Sequence, residues 1–385
     1  MPFEFATARR IVFGSGTIGE VASISAEIGK RACVLTGRTA ARAAFLLEQL
    51  NAYGVECVTF NVTSEPTTTL AKEASEFARR NQCDLVLSIG GGSVLDTGKV
   101  VAAMLTNRGE LEDYLEVVGT GKALARNCAP HIAIPTTAGT GAEVTRNAVL
   151  GVPKHKVKVS MRSELMLPAL AVVDPELTFS MPPSVTASTG LDALTQLIEV
   201  YVSNKANPLT DGICREGLTR AGRSLRRAYD DGADRPARED MALASLCGGL
   251  GLANSKLGAV HGFAGPLGGM FSAAHGVICA QILPFVMEAN VRGLLSREPN
   301  SPALARYGQV AQLLTGKSAA NASDGVEWIR ELCAALKVPS LSEFGLTKKD
   351  FPTVVAKSQK SSSMKGNPIR LTDEELLEIL HQATD

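Results

Sequence analysis

DLVLSIGGGSVLDTGKVVAA, residues 84–103, passes from an apolar β-type run through three consecutive glycines into a stretch with helical spacing. Strand, glycine turn and helix in that order form part of a βαβ unit. The turn brings backbone N–H groups and the positive end of a helix to where an anion can sit. Neither common phosphate fingerprint is met. G-x-G-x-x-G is absent, the spacing from Gly92 to Gly98-Lys99 is one residue too long for a P-loop, and Val100 stands where Ser or Thr would bind magnesium. A tight βα turn alone explains one glycine but not Gly90, Gly91 and Gly92 together, so the turn reads as phosphate-binding.

The neighbouring sequence keeps the same alternation. β-type runs at 31–36 (RACVLT), 55–62 (VECVTFNV) and 131–137 (HIAIPTT) are separated by helical stretches near 39–52, 67–81 and 93–106. This pattern predicts a parallel sheet with helices on both faces. RNAVLGVPKHKVKVSM (146–161) reads as an antiparallel excursion turning at Gly-Val-Pro, and LAVVD (170–174) as a last strand. Beyond Pro183 the β-branched runs stop and apolar residues recur at i, i+3, i+4 and i+7. Helices are expected near 185–203, 207–229, 237–255, 276–292, 302–316, 322–336 and 373–383. The fold class is an N-terminal α/β domain, 1–180, followed by an all-α domain, 181–385, with the break at Met181-Pro182-Pro183.

Composition narrows the function. Lys plus Arg and Asp plus Glu both number 39 in 385 residues, so no global field points to nucleic acid or a membrane. The basic run Lys154 to Lys158 reads as a solvated hairpin. The eight cysteines include no C-x-x-C pair and mostly sit in apolar surroundings, which suits buried free thiols in a reducing compartment. MPFEFATARR has no apolar leader core and no apolar stretch reaches about 18 residues, so a cytoplasmic protein is expected.

PTTAGTGAEVT (135–145) is a second glycine-bearing turn after a strand, with hydroxyls at Thr136, Thr137, Thr140 and Thr145. Ligands of open α/β sheets bind outside the carboxyl ends of strands, so the two turns could share one ligand. Only five histidines occur in the chain, and two of them, His261 and His275, lie in the glycine-rich stretch AVHGFAGPLGGMFSAAHGV (259–277). Upstream, GLDALTQLIEVYVS (190–203) sets Asp192 and Gln196 on one helix face. Imidazole and carboxylate suit iron or zinc. Asp192 alone could be an N-terminal helix carboxylate. With the two histidines it reads as a metal ligand, and the Gln196 amide as a weak one.

Together these motifs resemble the iron-containing (group III) alcohol dehydrogenase family over essentially the whole chain, from ARRIVFGSG to GNPIRLTDEEL. The resemblance implies a dinucleotide-binding α/β domain and a helical metal and substrate domain, of dehydroquinate-synthase-like architecture. It also implies NAD(P)-dependent interconversion of an alcohol with its aldehyde or ketone, by a homodimer. On this resemblance Gly90, Gly91, Gly92, Ser93 and Val94 cradle the pyrophosphate. Thr136, Thr137, Ala138, Gly139 and Thr140 line the cofactor, and Lys158 reaches its ribose. Asp192, His261 and His275 hold the catalytic metal, with His275 also beside the cofactor. Two positions depart from the family: Gln196 stands where a histidine ligand is usual, and Gly265 where a proton-relay histidine is often found. Iron, zinc and a metal-free reductase of the maleylacetate reductase type stay open on that account. A dehydroquinate-synthase-like lyase is the further alternative, although no basic cluster for a phosphorylated substrate accompanies the late histidines.

Cofactor choice has one handle. An acidic residue after the second β-type run would bind a ribose 2′-hydroxyl and repel a 2′-phosphate. Gly37 and Arg38 stand there instead, which favours NADP over NAD. The substrate itself is not written in the residues.

Overall fold

Cys33 and Leu35 pack into one apolar cluster while Ala32 and Val34 pack into another, so the strand that carries them is buried on both faces. The computed structural model describes residues 2–155 and 157–384, so Lys156 of the basic run lies outside the described residues. The chain divides into two compact units: Ala6–Thr137 with Gly141–Thr178, and Met1–Phe5, Ala138–Thr140 with Phe179–Asp385.

The first unit contains β1 (Ile11–Phe13), α1 (Val21–Ile28), β2 (Arg31–Thr36), α2 (Ala44–Ala52), β3 (Glu56–Asn61), α3 (Thr68–Arg80), β4 (Leu85–Gly90) and α4 (Gly92–Thr106). It continues with β5 (His131–Pro135), β6 (Asn147–Val152), β7 (Val157–Arg162) and β8 (Leu170–Val173). Six strands form one parallel sheet in the order β1-β8-β5-β4-β2-β3, and β6 and β7 form a separate antiparallel pair. Residues of α1 and α2 pack on one face, and residues of α3 and α4 on the other. The sequence pattern does not announce β1 or α1. The hairpin turn is Pro153–His155, while Gly151 and Val152 remain in β6, in register with Lys158 and Val157 of β7, and the Gly151 amide donates outward to the Pro66 carbonyl at 2.8 Å.

Strand order locates the ligand crevice. After β2 the chain adds β3 on one side, then returns to place β4 on the other, so the winding reverses between β2 and β4. Open α/β sheets bind ligands at the carboxyl ends of strands at this switch point. Gly37 follows β2 there and Gly90 ends β4.

The second unit contains α5 (Pro183–Val202), α6 (Pro208–Asp230), α7 (Arg235–Asn254), α8 (Ala259–Met270), α9 (His275–Arg297), α10 (Pro302–Thr315), α11 (Ala322–Ala335), α12 (Phe351–Ser358) and α13 (Asp373–Gln382). Pro182 caps α5 and Pro183 takes its first position, where a missing N–H costs nothing. The expected helices pass over 259–270 and 351–358, yet both are helical. In α8 the glycines and Pro266 weaken the local preference, and burial of Val260, Phe263 and Leu267 overrides it.

Among the described residues α9 is the one helix long and apolar enough to cross a membrane. The sequence reading expected no such stretch. Here 72% of its most apolar window is buried within the fold, as in a core helix. Pro284 inside α9 cannot donate to the Ala280 carbonyl, and the Cys333 thiol of α11 donates to that oxygen instead, at 3.4 Å.

Candidate metal centre and cofactor loops

Three helices bring four donor atoms together. Asp192 lies in the middle of α5, nine residues past its start, so the N-terminal reading of this carboxylate falls. His261 comes from α8, and His275 and Cys279 from the first turns of α9. Asp192 Oδ1 lies 3.5 Å from His261 Nε2 and 3.7 Å from His275 Nε2. Cys279 Sγ is 3.9 Å from His261 Nε2 and 3.7 Å from His275 Nε2, and all four donor atoms fall within 4.8 Å of one another.

Glycines permit this convergence. A Cβ at Gly276 would overlap the Ser188 backbone of α5, and one at Gly258 would lie 2.9 Å from Glu199 Oε1. At Gly265, by contrast, an added Cβ meets nothing within 4 Å.

Glu199 was not among the expected site residues. Its Oε2 accepts from His261 Nδ1 at 2.6 Å and its Oε1 accepts from the Val260 amide at 2.7 Å. A proton on Nδ1 leaves the Nε2 lone pair directed at Asp192 and Cys279, the arrangement found behind metal-bound histidines. Its sequence signal is position, since Asp192, Gln196 and Glu199 follow i, i+4, i+7 on one helix face. Cys279 is signalled the same way, four residues after His275.

On this face of α5 the buried oxygens Asp192 Oδ1 and Gln196 Oε1 have no hydrogen-bond partner. Both residues are 2% exposed, and an unpaired buried oxygen is costly unless something positive reaches it. Gln196 Oε1 lies near Gly248 of α7, where an added Cβ would come within 3.2 Å of it. A tetrahedral ion with bonds of about 2.0–2.3 Å sets its donors about 3.3–3.7 Å apart, close to the spacing of these four atoms. The residues therefore fit a divalent cation. Burial alone would lower both imidazoles, yet the Cys279 and Asp192 side chains beside them hold His261 and His275 above the ordinary range. Burial would likewise raise Asp192 and Cys279, and the two rings hold both below it.

In the sheet unit, α4 starts at Gly92 with Gly91 as its cap, and no acidic residue occupies its first turn. A Cβ at Gly90 would overlap Val94, so close approach requires that glycine, whereas one at Gly91 would meet Thr137 only at contact distance, 3.4 Å. The Thr136 amide donates to the Gly90 carbonyl at 2.9 Å, which joins the ends of β4 and β5. Ala138–Thr140 group with the helical unit, where Gly139 packs against Thr189 of α5. Gly37 lies near Val94, and exposed Arg38 donates from Nε to the Thr63 carbonyl at 2.6 Å.

Two expected cofactor contacts are engaged elsewhere. Thr145 is 3% exposed and accepts from Lys99 Nζ at 2.8 Å, while Lys158 forms an ion pair with Glu65.

The profile "Iron-containing alcohol dehydrogenase" matches residues 8–175, and "Fe-containing alcohol dehydrogenase family, C-terminal" matches residues 186–384. Alcohol dehydrogenase 4 of Saccharomyces cerevisiae (strain YJM789) is 33% identical, over 96% of this chain and 96% of its own length. A crystal structure of a 1,3-propanediol oxidoreductase superposes with a TM-score of 0.92 at 31% identity, covering 100% of both chains. Sulfoacetaldehyde reductase from Bifidobacterium kashiwanohense, solved in complex with NAD+, gives 0.86 at 28% identity over 99% of this chain and 98% of that one. With its sheet, its helices and its donor cluster alike accounted for, the chain belongs to the iron-containing alcohol dehydrogenase family and is an NAD(P)-dependent oxidoreductase interconverting an alcohol with its aldehyde or ketone.

Proposed function

We propose that Asp192, His261 and His275 hold the divalent metal of this enzyme, with Gln196 at most a weak contributor, and that Gly90 to Val94 and Thr136 to Thr140 bind the dinucleotide. The observation that carries the metal reading is Asp192 Oδ1, buried, without a hydrogen-bond partner, and facing Nε2 of both histidines at 3.5 and 3.7 Å. When bound, the metal supplies Lewis acidity toward the substrate oxygen and the nicotinamide supplies or accepts hydride. The chain's own residues do the rest. Glu199 fixes the tautomer and tilt of His261. Val260 and Gly262, either side of His261 in the chain, are buried with it. The His275 side chain, 37% exposed, marks the side from which a substrate oxygen can approach. Because position 265 carries no side chain, the proton travels through water or a ribose hydroxyl.

His275→Ala tests this. Bound metal and turnover should both be lost while most NAD(P)H affinity is kept, because His275 would touch only one end of a cofactor whose pyrophosphate the glycine turn holds. A variant that keeps its metal and full activity would sink the reading and favour a metal-free reductase.

The preference for NADP is supported by Arg38, whose guanidinium is steadied at the end of β2 by Thr63. An arginine–phosphate contact is worth about 1–3 kcal/mol, so Arg38→Ala should lower kcat/KM with NADPH about tenfold to a hundredfold and leave NADH unchanged. A wild-type preference for NADH would remove the argument. A homodimer in the cytoplasm completes the proposal, the dimer on family resemblance and the compartment on eight cysteines that are all free.

A further inference from the structure

Cys279 is fully buried, but its sulfur does not face an apolar wall. Sγ sits 3.7 Å from His275 Nε2 and 3.9 Å from His261 Nε2, within 4.8 Å of the unpartnered Asp192 oxygen. The pair His275 and Cys279 is spaced i,i+4 on α9, so one helix face presents both donors to the same point. On α5, four residues after Asp192, position 196 offers a neutral amide, the poorest donor of the group.

We propose that Cys279 Sγ is a protein ligand of the metal, giving an Asp-His-His-Cys set that selects zinc over ferrous iron. The inference rests on Asp192, His261 and His275 being ligands and adds a fourth. Soft thiolate favours zinc, and mixed nitrogen–sulfur sets are typical of it. On binding, the S–H bond breaks, an Sγ–metal bond forms and the proton leaves to solvent; no electron changes hands. These four residues would hold the ion, and the His275 side chain, 37% exposed, would leave that side open to a substrate.

The experiment uses cobalt(II) as the probe in the full-length enzyme after its metal has been stripped. Wild type should take up cobalt with a near-ultraviolet thiolate-to-cobalt charge-transfer band. Cys279→Ser should bind cobalt without that band, and Cys128→Ser, altered in the other unit, should retain it. Zinc affinity in Cys279→Ser should fall by more than about tenfold, the loss that even an outer-shell partner carries, with ferrous iron affected less. If Cys279→Ser does not fold, the wild-type spectrum decides alone. Cobalt bound by wild type without a thiolate band overturns the role of Cys279 and leaves the other three ligands standing. A wild type that takes up no cobalt overturns both.

Discussion

Two clusters of buried polar groups, one in each unit, solve the same electrostatic problem differently. In the sheet unit, Lys99 is 1% exposed and its Nζ donates to Asp96 at 3.1 Å, Thr145 at 2.8 Å and the Asn147 carbonyl at 2.7 Å. The chain has supplied its own cation there. In the helical unit, Asp192, Glu199 and Cys279 gather with two imidazoles, and among the described residues neither carboxylate pairs with a lysine or arginine. Burial of anionic donors without a fixed counter-charge is unfavourable. The first cluster is thus a strut holding α4 to the start of β6, and the second suits the role proposed for it, a receptor for a positive ion.

The comparison breaks most visibly through Asp192→Asn. In the stripped protein this variant should cost little stability beside its effect on catalysis, because Asp192 Oδ1 has no hydrogen bond to lose, whereas turnover should fall about a thousandfold or more with the loss of several kcal/mol of alkoxide stabilisation. Melting of the stripped proteins and kcat of the loaded ones separate the two effects. A large drop in the stripped variant's Tm would mean that Asp192 is structural after all.

Lys99→Met should do the reverse. Leaving Asp96, Thr145 and a backbone carbonyl around an apolar chain should cost about 3–5 kcal/mol of folding stability, read by urea denaturation, with metal content unchanged. Unaltered stability would show that the ammonium is not the strut.

The smallest effect belongs to Glu143, 1% exposed, whose carboxyl is pushed up to about 7 by burial, against backbone hydrogen bonding and Lys99, which pull it down. A carboxyl raised in the fold stabilises fully below its unfolded value of 4.5, and that contribution is lost as pH rises through about 7. Across this window the wild type should lose stability on the order of 1 kcal/mol per pH unit relative to Glu143→Gln. Parallel stability–pH curves for the two proteins would refute the assignment.

Much of the scaffold is legible in sequence for a physical reason. Strands buried on both faces read as unbroken apolar runs, which is why β2, β4 and β5 stand out. β1 has three half-buried residues and no pattern to read. α8 contains the residues that ordinarily stop helices, and only its packing keeps it helical. In the candidate metal cluster, Asp192, His261 and His275 are conspicuous because histidine is rare in this chain and glycine surrounds both late copies. Glu199 and Cys279 are not conspicuous, because an acidic residue or a thiol in a helix is ordinary until its neighbours on the same face are considered with it. Thr145 and Lys158 show what spacing cannot tell: a polar side chain near a ligand loop can already hold a partner within the fold, here Lys99 and Glu65.

Pro284 and Cys333 also matter to anyone attaching a probe to this protein. A thiol-free background made with alanine throughout would leave the Ala280 carbonyl of α9 unmet, at about 1–3 kcal/mol, whereas serine at 333 keeps a donor in place. Alkylating Cys333 would have to pry α11 from the helix that carries His275. Cys57, half-buried on the edge strand β3, is the better handle for a fluorophore or a tether.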